Sequence, residues 1–147
     1  MIAITGAGEY LDIIRPYDEI LLNKLKDDPY VVCFPTAAGL ESNERIQYWL
    51  DLGDDHFSKL NVNHKSIRAL NVDDYNKPET LAEIEKANFV YFSGGNPNHL
   101  YDTLSSSLAW EKLLNIHNNG GILAGCSAGA MIMGEKMNKG KGFGFFK

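Results

Sequence analysis

Short apolar runs alternate with amphipathic segments along the whole chain, and this alternation predicts the fold. Five runs have the length of a strand, and they cover residues 1–5, 30–34, 66–72, 89–92 and 121–124. Uninterrupted apolar runs of this length are typical of strands that are covered on both faces of a sheet. We therefore predict five short strands with helices between them.

The amphipathic segments between these runs predict the helices. Proline is tolerated in a first turn, so a helix is predicted to begin near Pro16, with an apolar face formed by Tyr17, Ile20, Leu21 and Leu25. Ser42 or Asn43 can cap the next helix, whose buried stripe is formed by Ile46, Trp49 and Leu50. Strands that alternate with helices predict a doubly wound, mostly parallel α/β sheet of the flavodoxin-like kind, with helices on both faces. Residues 1–147 are predicted to form a single domain.

Composition narrows the classes of partner. The net charge is −5 and charged residues make up 22% of the chain, which argues against a nucleic-acid partner. No apolar stretch approaches the ~18 residues of a membrane span, and the sequence shows no secretory signal, so we expect a cytoplasmic protein with no membrane partner. The two cysteines, Cys33 and Cys126, form no disulfide framework or metal motif, and we expect neither a cofactor nor a metal.

The strongest chemical signal lies directly after the fifth strand, where residues 125–129 read Gly-Cys-Ser-Ala-Gly. This fits the G-x-S-x-G nucleophile elbow, in which a sharp strand-to-helix turn exposes the serine at the carboxyl end of the sheet. Ser127 is therefore the candidate nucleophile. The amide N–H of Ala128 is a candidate oxyanion donor, aided by the dipole of the following helix. Cys126 occupies the variable position of the motif and is expected to be a buried small residue.

A second signal follows the fourth strand, where residues 93–97 read Ser-Gly-Gly-Asn-Pro. Loops at the carboxyl ends of parallel strands form the ligand crevice of such sheets, and glycines there let the backbone approach a substrate closely. A backbone N–H of Gly95 or Asn96 could complete an oxyanion hole. The alternative is an ordinary strand-to-helix turn in which Asn96 caps the helix.

The segments Phe-Ser-Gly-Gly-Asn-Pro-Asn-His-Leu (92–100) and Ala-Gly-Cys-Ser-Ala-Gly-Ala-Met (124–131) resemble the dipeptidase E and cyanophycinase family, peptidase family S51. Its members resemble class I glutamine amidotransferase domains, with serine in place of the cysteine nucleophile. The resemblance implies a Ser-His-acid hydrolase of short peptides, N-terminal aspartyl peptides or cyanophycin among them. It also implies Ser127 as nucleophile and the Gly95 and Ala128 amides as oxyanion donors.

The chain departs from the family pattern in the rest of the triad. In the family the acid and the histidine follow the elbow, whereas all four histidines here precede Ser127 and the only later acidic residue is Glu135. His99 is the best substitute base, and His99 and Asn96 are otherwise candidates to line the substrate site. Glu9, on the loop after the first strand, is expected to be a solvated carboxylate. We expect the chain to lack the C-terminal part of the family domain and therefore to be inactive or impaired.

Two further interpretations stay open at this point. The chain could be a non-catalytic module that binds small peptides, or an amidotransferase-type enzyme that uses Cys126, although the motif register disfavours the second. If strands beyond the fifth are missing, an uncovered sheet edge would favour self-association or a homo-oligomer.

Overall fold

The five predicted strands assemble into one parallel sheet in a computed structural model that describes residues 1–147. The strands are β1 (Ile2–Thr5), β2 (Tyr30–Phe34), β3 (Asn63–Ser66), β4 (Phe89–Phe92) and β5 (Ile122–Cys126). They lie side by side in the order β1-β5-β4-β2-β3, and each neighbouring pair is parallel. The predicted fold class is confirmed.

Helices connect the strands and cover both faces of the sheet. They are α1 (Arg15–Leu22), α2 (Asn43–Lys59), α3 (Val72–Asn76), α4 (Pro78–Lys86), α5 (Pro97–Ser105), α6 (Ala109–Asn118) and α7 (Ala128–Met131). A 3₁₀ turn (Thr36–Ala38) follows β2, and a small antiparallel hairpin joins β6 (Lys136–Met137) to β7 (Gly140–Lys141). The Ser42 side chain caps α2 by accepting the Arg45 N–H. None of the helices combines the length and the apolar character needed to cross a bilayer.

Side chains that alternate along the strands build a separate core on each face of the sheet. Val32, Val90 and Leu123 point into a cluster of 18 buried residues that is completed by side chains of α3 to α7. Their neighbours, such as Val31 and Phe89, point into a cluster of 10 buried residues beneath α1 and α2. Burial on both faces explains why β2, β4 and β5 read as continuous apolar runs.

The third strand lies earlier than the sequence pattern predicts. β3 covers Asn63–Ser66 instead of 66–72, and α3 already begins at Val72. β3 is an edge strand that pairs only with β2, so its side chains are half-buried or exposed and it needs no apolar run. The apolar residues that suggested the strand, Ile67 and Ala69, pack against the larger core just after β3 ends.

The predicted apolar face of α1 is only half correct, since Leu21 and Leu25 pack against the smaller core but the other two residues do not. Tyr17 and Ile20 are 64% and 56% exposed, whereas Asp18 and Leu22 are buried. α1 passes beside β1, an edge strand that pairs only with β5, and there is too little sheet beyond β1 to cover the whole helix face. An exposed apolar surface therefore flanks this edge of the sheet.

The aromatic residues near the C-terminal end pack back onto the domain. The Phe143 ring stacks on Trp110 with ring centroids 3.5 Å apart, and it also contacts Tyr101. Phe145 packs against Trp110 and His117. This segment therefore extends the larger core.

Candidate active site

Ser127 occupies a strained turn between β5 and α7. Its backbone angles are φ 50° and ψ −111°, a conformation that residues other than glycine rarely adopt. The flanking residues Cys126 and Ala128 are fully buried, whereas Ser127 is exposed. The turn therefore presents the serine to solvent at the carboxyl end of the sheet, as a nucleophile elbow requires.

Two glycines allow this turn to pack against the sheet. A Cβ on Gly125 would overlap the backbone of Gly129, and a Cβ on Gly129 would overlap the carbonyl oxygen of Phe92 in β4. β5, the turn at Ser127 and α7 therefore pack more closely together than residues larger than glycine would permit. The first and last positions of the motif are glycines for this steric reason.

The loop after β4 lies next to the elbow and takes its shape from Gly95. This residue has a φ of +144°, and a Cβ on it would overlap the backbone of Ala37. The next residue, Asn96, donates its N–H to the Ala37 carbonyl oxygen at 2.7 Å. The β4 loop is thereby fixed to the 3₁₀ turn that follows β2.

The two predicted oxyanion donors are unpaired amides. Neither the Gly95 N–H nor the Ala128 N–H donates a hydrogen bond to any protein group. The helix after Ser127 is only four residues long. A helix this short adds little macrodipole, so any oxyanion stabilisation must come from the individual N–H groups.

Glu9 is a buried residue that connects three loops of the site, and the expectation of a solvated carboxylate is wrong. Its side chain is held between the loops after β1, β4 and β5, and the residue is only 8% exposed. Glu9 Oε1 accepts the Gly94 N–H at 2.9 Å, and Oε2 accepts the Cys126 S–H at 2.8 Å. A Cβ on Gly94 would lie 2.9 Å from Glu9 Oε1 and 3.6 Å from Ser127 Oγ, so both side chains border the same small space.

The Cys126 thiol serves as a hydrogen-bond donor in this arrangement. Burial and the neighbouring Glu9 carboxylate raise the pKa of Cys126 to about 12. Because the thiolate is the reactive form of cysteine, a neutral buried thiol is a poor nucleophile. The geometry therefore agrees with the expectation that Cys126 is a buried small residue.

Ser127 opens into a cavity of about 280 Å³. One side is formed by the loops after β1, β4 and β5 and includes Gly6, Ala7, Glu9, Gly94 and Gly95. The opposite side comes from α2 and the residues before it, namely Glu41, Arg45 and Trp49. The cavity thus combines a serine hydroxyl, a free amide, two carboxylates and one guanidinium group.

The two predicted substrate-lining residues lie outside this cavity. The Asn96 side chain accepts the His99 N–H and caps α5, as the alternative interpretation of this loop proposed. His99 Nε2 donates to the Leu70 carbonyl oxygen at 2.8 Å, so the imidazole is engaged away from Ser127. The Asn96 cap fixes the first turn of α5, and the imidazole of His99 in this turn reaches Leu70.

No histidine lines the Ser127 cavity. His56 is buried and its Nε2 lies 2.8 Å from Asp18 Oδ2. His64 contacts the Val62 carbonyl oxygen, and the Glu135 N–H donates to the Phe146 carbonyl oxygen. Neither residue lines the cavity. The histidine that usually acts as base for such a serine is therefore absent from the cavity walls.

A serine on a strained strand-to-helix turn, next to unpaired amides and on a doubly wound sheet, defines a hydrolase-type nucleophile site of the α/β class. The model of the family described as Peptidase family S51 matches residues 1–143. The chain therefore belongs to peptidase family S51. None of the curated proteins with which the sequence was compared matches it.

Solved structures show the same fold. A peptidase from an acI-B1 Actinobacterium superposes with a TM-score of 0.93 at 32% identity, over 99% of this chain and 64% of that protein. A peptidase E homologue from Listeria monocytogenes EGD-e superposes with a TM-score of 0.62 at 20% identity, over 90% of this chain and 60% of that protein. The present chain thus spans less than two thirds of the length of either protein.

Proposed function

We propose that this chain carries the nucleophile and the oxyanion site of a serine-type peptidase that hydrolyses short peptides. The observation that carries the proposal is the strained Ser127 elbow beside two unpaired amides, those of Gly95 and Ala128. Membership of peptidase family S51 supports the peptidase class, and so does the similar structure at 32% identity, which is described as a peptidase.

The proposed chemistry follows from these groups. Ser127 Oγ attacks the scissile carbonyl carbon and loses its proton to a base, while the carbonyl oxygen becomes an oxyanion held by the Gly95 and Ala128 N–H groups. The C–N bond then breaks as the amine takes up a proton, which leaves an acyl group on Ser127. Water hydrolyses this ester and restores the serine.

The cavity of this chain lacks the histidine that would take the proton from Ser127. A serine hydroxyl is a weak nucleophile without a neighbouring base, although oxyanion and binding groups alone retain roughly 10³–10⁴-fold catalysis in a well-studied protease. We therefore propose that the 147-residue chain by itself is inactive or strongly impaired.

The cavity favours small substrates. Its volume of about 280 Å³ is at or below the lower end of typical ligand pockets, which begin near ~300 Å³. A short peptide with a polar or charged N-terminal residue fits the mixture of carboxylates and guanidinium, and N-terminal aspartyl peptides are the substrates that we propose first.

A second candidate function is a non-catalytic module that binds small peptides. The observation that favours it is the absence of any histidine from the cavity walls. On this alternative the fold and the cavity remain, but Ser127 performs no chemistry.

Labelling with a fluorophosphonate separates the two functions. We expect slow labelling of the wild-type chain, faster labelling when imidazole supplies the missing base, and no labelling of a Ser127→Ala variant at this position. A Cys126→Ala variant should label like the wild type. Complete failure to label, even with imidazole, combined with retained peptide binding would support the binding module.

A further inference from the structure

Arg45 is the only cationic residue among those that line the Ser127 cavity, and the serine chemistry proposed above makes no use of it. It lies in the first turn of α2, where its backbone N–H is bound by the Ser42 cap. The helix start is therefore fixed, and the Arg45 side chain extends from a rigid element.

The guanidinium group is held in place by three neighbours. Its central carbon lies 4.9 Å from the ring centre of Tyr48 and 5.0 Å from that of Trp49, which are cation–π distances. Its Nε lies 3.5 Å from Glu41 Oε2, the nearest carboxylate oxygen. These contacts restrict the side chain although half of it is exposed.

The contacts leave the terminal nitrogens of Arg45 available. The carboxylate of Glu41 approaches Nε, and no hydrogen bond within the protein uses either terminal nitrogen. A planar guanidinium with free terminal N–H groups suits a carboxylate, which it can bind through two parallel hydrogen bonds. A ligand carboxylate would avoid the other charged groups of the cavity, Glu9 and Glu41, because both are acidic.

We propose that Arg45 is the residue of this cavity that recognises a carboxylate, and that it thereby selects short peptides with a free carboxylate for Ser127. The carboxylate comes either from the C-terminus of the peptide or from an acidic side chain, since both present the same group to the guanidinium. The proposal rests on the proposed function in taking a short peptide as the occupant of the cavity, but it requires no catalysis.

The test is an equilibrium titration of the 147-residue chain, with Ser127→Ala as background so that no peptide is consumed. Three peptides separate the sources of the carboxylate: dialanine, dialanine amide, and aspartyl-alanine amide. Affinities come from calorimetry, and the ¹⁵Nε–H signals of the three arginines, Arg15, Arg45 and Arg68, report which guanidinium is contacted.

We expect one or both carboxylate-bearing peptides to bind about tenfold more tightly than dialanine amide, as is typical of a charge-assisted hydrogen-bond pair that is partly exposed. Binding of dialanine would identify the C-terminal carboxylate, and binding of aspartyl-alanine amide would identify the acidic side chain. In both cases the Arg45 signal shifts, and Arg45→Met weakens binding by about tenfold, to the level of the uncharged peptide. Arg45→Lys keeps the positive charge but lacks the planar guanidinium group, so it should lose less affinity than Arg45→Met.

Arg68→Met is the matched control, because Arg68 also lies beside the start of α2, where it donates to Asn43, but it does not line the Ser127 cavity. This variant should bind like the background. The proposal is overturned if the three peptides bind equally, if none binds, or if Arg45→Met binds as the background does. Failed labelling of Ser127 would refute the catalytic function alone and would leave this result intact.

Discussion

Replacing Glu9 tests whether this buried carboxylate holds the site together. In Glu9→Ala, the buried Gly94 N–H loses its only acceptor and the Cys126 S–H loses its partner. An unsatisfied buried N–H costs about 1–3 kcal/mol, and the weaker S–H donor adds little, so we expect the free energy of unfolding to fall by about 2–3 kcal/mol. With a urea m-value of about 2 kcal/mol/M, the unfolding midpoint should fall by roughly 1–1.5 M.

Glu9→Gln is the matched variant, because its amide oxygen can still accept the Gly94 N–H. It should lose about 1 kcal/mol or less, and its rate of fluorophosphonate labelling at Ser127 should stay closer to that of the wild type than the rate of Glu9→Ala. Glu41→Ala, on the exposed wall of the same cavity, should leave the midpoint unchanged. The reasoning fails if Glu9→Ala unfolds at the wild-type midpoint, or if the Gln variant is destabilised as much as the Ala variant.

Three other predictions concern acid stability, thiol chemistry and the open sheet edge. The Tyr30 hydroxyl donates to the Glu83 carboxylate and lowers the pKa of Glu83 from 4.5 to about 2. The stability that Glu83 contributes is therefore complete above about pH 4.5 and is lost as the pH falls towards 2. The free energy of unfolding of Glu83→Gln should depend less on pH in this window. Burial raises the pKa values of both cysteine thiols, so the native protein should resist iodoacetamide at pH 8. The urea-unfolded protein should take up two equivalents. Rapid labelling of the native protein would contradict the burial of the thiols. β1 pairs on one side only, and its residue Ile4 is 52% exposed, so we expect the chain to self-associate through this edge. The sedimentation coefficient should rise with protein concentration, and Ile4→Lys should reduce this rise. A monomer at all concentrations would refute the prediction.

The sequence predicted those features that depend on neighbouring residues. β2, β4 and the elbow at Ser127 are local patterns, because a strand buried on both faces and a glycine-flanked turn are encoded within a few positions. β3 was misplaced because an edge strand can be polar. The apolar face of α1 was wrong at Tyr17 and Ile20 because no periodicity shows how far the sheet extends beyond β1.

Only part of the site was predicted, because its other contacts join residues that are far apart in the sequence. The role of Glu9 was missed because its partners Gly94 and Cys126 are 85 and 117 positions away, and only the fold brings them together. The available signal was the position of Glu9 after the Gly-Ala-Gly turn that ends β1, at the same edge as the elbow. The contact of His99 with Leu70 joins positions that are 29 residues apart, so it cannot be read from spacing.

The central claim is that Ser127 is the nucleophile, and the location of a fluorophosphonate adduct tests it most directly. Trypsin cleavage after Lys112 and Lys136 gives a peptide whose only serine is Ser127. After incubation with the probe and imidazole, mass spectrometry should find the adduct on this peptide and should lose it in Ser127→Ala. An adduct confined to other peptides, or one that persists at the same level in Ser127→Ala, would contradict the assignment.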